Sequence, residues 1–118
     1  SPAACAHLGA MTREILQEMP GRYVIMATSG WSHAFLTAKH SYLYPDVEAD
    51  RRHLADLREA TFGDWAKITN DEIDNAGDQE FRNWICLAGA MDGYSAEIVE
   101  YLETYIFNSS KCLAVMKP

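Results

Sequence analysis

Cysteine is scarce: three in 118 residues, Cys5, Cys86 and Cys112, an odd number without CxxC spacing. That argues against a disulfide framework. Each thiol lies among apolar neighbours, where a free cysteine behaves as a small hydrophobe, so a reducing, cytoplasmic setting is expected. Basic residues are short as well, 10 Lys and Arg against 17 Asp and Glu for a formal net charge of -7, which disfavours nucleic acid and anionic lipid as partners. No apolar run exceeds Trp84 to Met91, far below the roughly 20 residues that cross a bilayer, and no basic-then-apolar leader opens the chain. Repeats, low-complexity tracts and Pro/Gly linkers are missing too, so residues 1–118 are expected to form one domain. P-loop, dinucleotide, zinc and calcium-loop spacings are absent.

What is present reads as alternating helix and strand signals. Ser1-Pro2 supplies a capping hydroxyl and a first-turn proline ahead of Leu8, Met11, Ile15 and Met19 at three- and four-residue spacings, predicting a helix over 2–19. Pro20-Gly21 stops it, and the β-branched and aromatic run Tyr23 to Thr28 predicts a buried strand. Residues 29–46 keep neither period and form a long loop, the kind that carries function. Glu48 to Ala60 is charged with Leu54 and Leu57 on one side, a solvent-facing helix on which His53 is expected to face water. Thr69 and Glu72 match a capping box, and Gly77 closes the short helix they open. From Gln79, Phe81, Trp84, Ile85, Leu87 and Ala88 cover most of a helix surface. The tail, with Val99, Tyr101, Tyr105, Ile106 and Phe107, then NSSK and CLAVM, favours two strands joined by a turn. The fold class is α/β, a sheet with flanking helices.

Two residues stand out chemically. His33 closes Thr28-Ser29-Gly30-Trp31-Ser32-His33, where a strand ends in small residues and presents an imidazole that exchanges protons near neutral pH. A hydrogen-bonded structural histidine is the competing reading, and Ser32 beside His33 makes a poor nucleophile pair because adjacent residues rarely face each other. Glu80 is a carboxylate at the start of an apolar helix, either an N-terminal cap or a metal or substrate group. His33, Glu80 and one of His7, His40 or His53 would supply two imidazoles and a carboxylate, the ligand set of non-haem iron, although no tight spacing links them.

Taken in order, Ser1–Gly9 (SPAACAHLG), Ala27–His33 (ATSGWSH), Ala49–Leu54 (ADRRHL), Glu72–Met91 (EIDNAGDQEFRNWICLAGAM) and Cys112–Pro118 (CLAVMKP) resemble the carboxyl-terminal half of a class III extradiol ring-cleaving dioxygenase catalytic subunit. The protocatechuate 4,5-dioxygenase type is the one it is similar to. The specific blocks are small-small-Gly-x-Ser-His after a strand and Glu-x-x-x-Trp followed by a Gly-Ala pair. The resemblance implies that Glu80 is the carboxylate ligand of one Fe(II) and His33 the acid/base histidine. It also implies that two histidine ligands lie in an amino-terminal segment or subunit, so that this chain is the carboxyl-terminal part of a longer catalytic domain. Gly30 would let backbone approach substrate, and Ser32 would orient His33 or line the pocket. Trp31 stands where the family commonly has a smaller apolar residue, which implies a different pocket shape.

The implied substrates are a catecholic small molecule and dioxygen, and the implied partners include a small helical subunit and other copies in an oligomer. His40 and the Tyr42–Asp46 loop receive no role. A non-catalytic binding or scaffold module that keeps the fold is the alternative from another class. A metal-dependent hydrolase, which needs water but no dioxygen, is a third.

Overall fold

The computed structural model describes all residues, Ser1–Pro118. Four α-helices and one β-hairpin surround a single apolar cluster. Helix α1 (Pro2–Glu18) starts where predicted, with the Ser1 hydroxyl accepting from the Ala4 amide at 3.3 Å and Pro2 in the first turn. Its buried side differs from the expected one. Leu8, Met11, Ile15 and Met19 are 45–60% exposed, and α1 packs instead through small residues around Gly9 against α4 (Arg82–Ala90). The apolar spacing is real, but nothing within this chain covers it.

A second correction concerns residues 23–28. They form no ladder, and the sheet consists of β1 (Ser95–Leu102) paired antiparallel with β2 (Lys111–Lys117), register Ser95 to Lys117 through Leu102 to Lys111, with an irregularity between Ile98 and Glu100. The two tail strands are where the sequence placed them. Residues 103–110 form a wider loop than a tight hairpin turn.

Helix α2 (Val47–Glu59) is capped by the Asp46 carboxylate, which accepts from the Ala49 amide at 3.3 Å and also pairs with Lys39. Far from being solvated all round, α2 buries Ala49, Asp50, His53, Leu54 and Leu57. Helix α3 (Asn70–Ala76) has the full Thr69–Glu72 capping box and ends at Gly77 with φ of 72°, a left-handed conformation that favours glycine. A 3-10 turn, Gln79–Phe81, then leads into α4, so Glu80 sits in a tight turn before the helix rather than in its first α-turn.

Trp31, Leu54, Leu57, Phe62, Trp65, Ile73, Phe81, Trp84, Ile85 and Ala88 form the core. Trp31 is 1% exposed, with its ring edge-on to Phe81, Trp84 and His53. It is therefore a core anchor and does not shape an open pocket. No helix is long and apolar enough to cross a membrane.

Candidate functional site

His33 and Glu80, distant in sequence, meet at the surface. Nε2 of His33 lies 3.6 Å from Oε2 of Glu80, the His33 side chain 11% exposed and the Glu80 side chain 58%. Glu80 accepts no helix amide, so the capping reading has no support in the geometry. The carboxylate is held only by the turn that carries it, and the imidazole is the one group it faces.

The backbone around His33 is bound on every side. The His33 amide donates to the Gly77 carbonyl at 3.0 Å and the Ala34 amide to the Asn108 carbonyl at 2.8 Å. The Ser32 amide donates to Oδ1 of Asp50 at 3.0 Å. Because the main chain of Gly77 approaches this closely, a Cβ there would meet the His33 carbonyl oxygen at 2.7 Å. Gly77 therefore closes α3 and also brings the Asp78–Glu80 turn against the histidine. Gly30 has a related role: a Cβ would fall 2.9 Å from His33 Nε2 and 3.1 Å from Ser109 Oγ, so the missing side chain is the space the imidazole occupies.

Ser32 is fully buried. Its hydroxyl donates to the Ala76 carbonyl at 2.5 Å and accepts from the Asp46 amide at 2.7 Å, tying the His33 strand to α3 and to the start of α2. Both partners lie inside the fold, so no hydroxyl is offered to a ligand from this position; its contribution is to hold the segment that presents His33.

Residues the sequence reading passed over complete the surroundings. Ser109 bridges to His33 through the backbone and receives a hydrogen bond from Lys111 Nζ. Phe35 sets its ring edge-on to the imidazole at 5.5 Å. The loop bearing Ser109 is anchored by Arg51, which donates from Nε and Nη2 to the two oxygens of Glu103, each at 2.9 Å, holding that carboxyl below its usual range. The polar run NSSK marked a turn, but nothing in its spacing pointed at His33.

His53 is the clearest departure from expectation. It is 7% exposed, stacked on Phe81 at 3.9 Å, with Nε2 3.0 Å from Oδ2 of Asp78. Its spacing one turn after Ala49 and one before Leu57 was the overlooked signal. His40 stacks on Tyr44 at 4.1 Å, and the Tyr44 ring lies 5.7 Å from that of Tyr105. A cavity of about 220 Å³ lined by Lys39, Arg52, His53, Asn75 and Asp78 includes neither His33 nor Glu80. We place the chemistry at the exposed carboxylate-imidazole edge, because His53 and Asp78 already satisfy one another.

No three His, Cys, Asp or Glu residues are grouped so as to hold a metal. The donors at His33 and Glu80 still suit a ferrous ion in kind, an oxygen from an exposed carboxylate with an imidazole beside it. Thiolates do not compete: burial pushes Cys112 up to about 11 and raises Cys86 as well.

Behind the site Asp50 is buried, its Oδ2 without a partner, among Asp78, His53, Ser110 and Tyr101. Burial first of all, with repulsion from Asp78 added, pushes its carboxyl up to about 6 from 3.8, against the lowering effect of the Ser32 amide. The folded chain thus keeps this proton to higher pH than the unfolded chain does. Its contribution is most favourable below the ordinary carboxylate value and is lost as pH rises towards 6, by about 3 kcal/mol at about 1.4 kcal/mol per pH unit. Asp50→Asn keeps the acceptor for Ser32 and removes the charge. Its melting temperature is expected to exceed that of the parent at pH 8 and to match it near pH 4; equal slopes of stability against pH in both proteins would refute this account.

Comparison with known proteins agrees with this geometry. A family model described as the catalytic LigB subunit of aromatic ring-opening dioxygenase matches residues 1–112. Neither a curated protein nor a solved structure matches.

Proposed function

Since the chain belongs to the family of catalytic LigB subunits of aromatic ring-opening dioxygenases, we propose that it serves Fe(II)-dependent extradiol cleavage of a catecholic ring by dioxygen. In this reading Glu80 is the carboxylate metal ligand and His33 the acid/base group. The observation that carries it is the 3.6 Å approach of His33 Nε2 to an otherwise free Glu80 carboxylate.

The chain's residues have separable tasks. Glu80 presents its carboxylate at the surface, where an oxygen ligand lowers the net charge of a ferrous site. Bound Fe(II) would supply a place for the diol oxygens and dioxygen to meet. His33 accepts the proton a catechol hydroxyl must lose on binding and returns a proton when the ring opens. Its Nδ1 is buried without a partner, so Nε2 is the nitrogen offered to substrate. Gly30, Ser32 and Gly77 keep that nitrogen in place: Gly30 by the space it leaves, Ser32 and Gly77 by hydrogen bonds to the backbone on either side.

A ferrous oxygenase site takes two imidazoles and a carboxylate, and within this chain only Glu80 is available beside His33. Two histidines therefore come from another segment or subunit. An anaerobic Fe(II) titration of the 118-residue chain alone is expected to show no stoichiometric binding. Tight one-to-one binding abolished by Glu80→Ala would mean instead that histidines of this chain complete the site.

The activity test uses the complete, Fe(II)-loaded enzyme with catechol and 3,4-dihydroxybenzoate as probes. One dioxygen consumed per ring opened, with both oxygen atoms in the product, is the expected result. Turnover without oxygen consumption would replace this reading by a hydrolase, and a fully loaded protein inert towards every ortho-diphenol would replace it by a scaffold.

A further inference from the structure

The segment from Arg22 to Gly30 joins α1 to the site, yet it makes no backbone-to-backbone hydrogen bond. Its burial nevertheless alternates as in a strand. Val24 and Met26 are 89% and 78% exposed, whereas Ile25, Ala27 and Ser29 are half-buried. Ile25 and Ala27 lie beside Cys86 and Leu87 of α4, and the Asn83 amide donates to the Thr28 carbonyl at 3.3 Å. The segment is thus fastened to a helix along one face while its ladder groups and its apolar outer face stay bare. Free ladder groups next to β-branched and apolar side chains are a template for another strand.

We propose that Arg22–Thr28 is a docking edge for an apolar β-strand of the polypeptide segment that brings the missing imidazoles, and that this pairing completes the site. What the strand carries rests on the ferrous reading above; where it docks rests on the bare edge. A strand laid along these residues ends beside Gly30, and three residues later the chain reaches His33. Groups at that end of the partner strand therefore arrive next to Glu80.

A second copy of this chain does not fit the role. Two-fold antiparallel pairing about Ile25 would send the copy's His33 off the far end of the ladder. At about 3.3 Å per residue it would lie more than 20 Å from the centre in the wrong direction. The copy's other histidines are no better placed, since His40 is stacked on Tyr44, His53 is tied to Asp78, and His7 lies on α1. A docking helix would leave the ladder groups unpaired.

The test uses the natural assembly purified through a tag placed after Pro118, with Met26→benzoylphenylalanine as a photo-crosslinker. The crosslink is expected in a β-prone apolar run of a polypeptide that also contains the iron-binding histidines. Amide exchange across Tyr23–Thr28 is expected to be about 100-fold slower in the assembly than in the 118-residue chain alone. Ile25→Pro provides the second variant. The Ile25 amide is unbonded in the chain by itself, so its melting temperature should hold within a few degrees while crosslinking and protection are lost. A crosslink to another copy of this chain, a crosslink to a helical segment, equally fast exchange in both species, or pairing that survives Ile25→Pro would each overturn the docking edge. A paired strand whose polypeptide binds Fe(II) through no histidine would uphold the edge and overturn the ferrous reading.

Discussion

Replacing His33 by alanine is expected to leave iron bound in the complete enzyme and to lower kcat by about two to four orders of magnitude, the range for a positioned acid/base group. The loss should fall on kcat more than on KM, because the imidazole handles a proton and adds little to the binding of the ring. Glu80→Ala should behave differently: the metal itself is lost, which elemental analysis reads without any assay. The contrast follows from placement, since the His33 imidazole is almost enclosed by Gly30, Ser109 and Phe35 whereas the Glu80 carboxylate stands open at the surface. Added imidazole restoring part of the His33→Ala rate would identify a missing proton acceptor. Near-normal turnover of His33→Ala would end the acid/base assignment, and stoichiometric iron in Glu80→Ala would end the ligand assignment.

Elements with local signals were legible in the sequence. The Ser1-Pro2 start of α1, the Thr69–Glu72 box, the Gly77 stop and the two tail strands all rest on contacts a few residues long, and each is where its signal put it. Elements whose neighbours lie elsewhere were not. The run at 23–28 has strand chemistry but no strand beside it, and the stripe on α1 has helix spacing but no cover. Both misreadings share one cause: hydrophobic pattern states what a surface would bury, not whether its partner is present. His53 failed for the opposite reason, because charged neighbours masked a buried face shared with Ala49 and Leu57. At the site, His33 and Glu80 could be named from sequence and their approach could not, since it depends on Gly77 letting two distant backbones touch. The role of Ser32 was hidden likewise, because a serine hydroxyl that bridges two backbone groups looks, in a sequence, like one offered to a ligand.

Gly9→Ala is expected to destabilise the chain, although alanine is favoured over glycine inside a helix by about 1 kcal/mol. The contact decides the sign. A Cβ on Gly9 would sit 1.8 Å from the Cys86 carbonyl oxygen and 2.9 Å from the Ala90 amide nitrogen, and one on Gly89 would sit 2.0 Å from the Ala6 carbonyl oxygen. The two helices touch backbone to backbone at both points, with no flexible side chain to move aside. Relief requires α1 and α4 to separate, which disturbs the packing of Ile85 and Ala88 along with the new clash. Overpacking costs about 1–3 kcal/mol and more where backbone is struck, so a net loss of about 2 kcal/mol remains after the propensity gain. For a chain of this size that is a fall in Tm of about 8 °C. Leu8→Ala, one residue away but 60% exposed, should change stability by no more than about 0.5 kcal/mol. Because α4 continues directly from the turn bearing Glu80, the same contact sets where that carboxylate stands. A higher Tm for Gly9→Ala would show that α1 and α4 do not meet at their backbones, and the account of how Glu80 is positioned would fall with it.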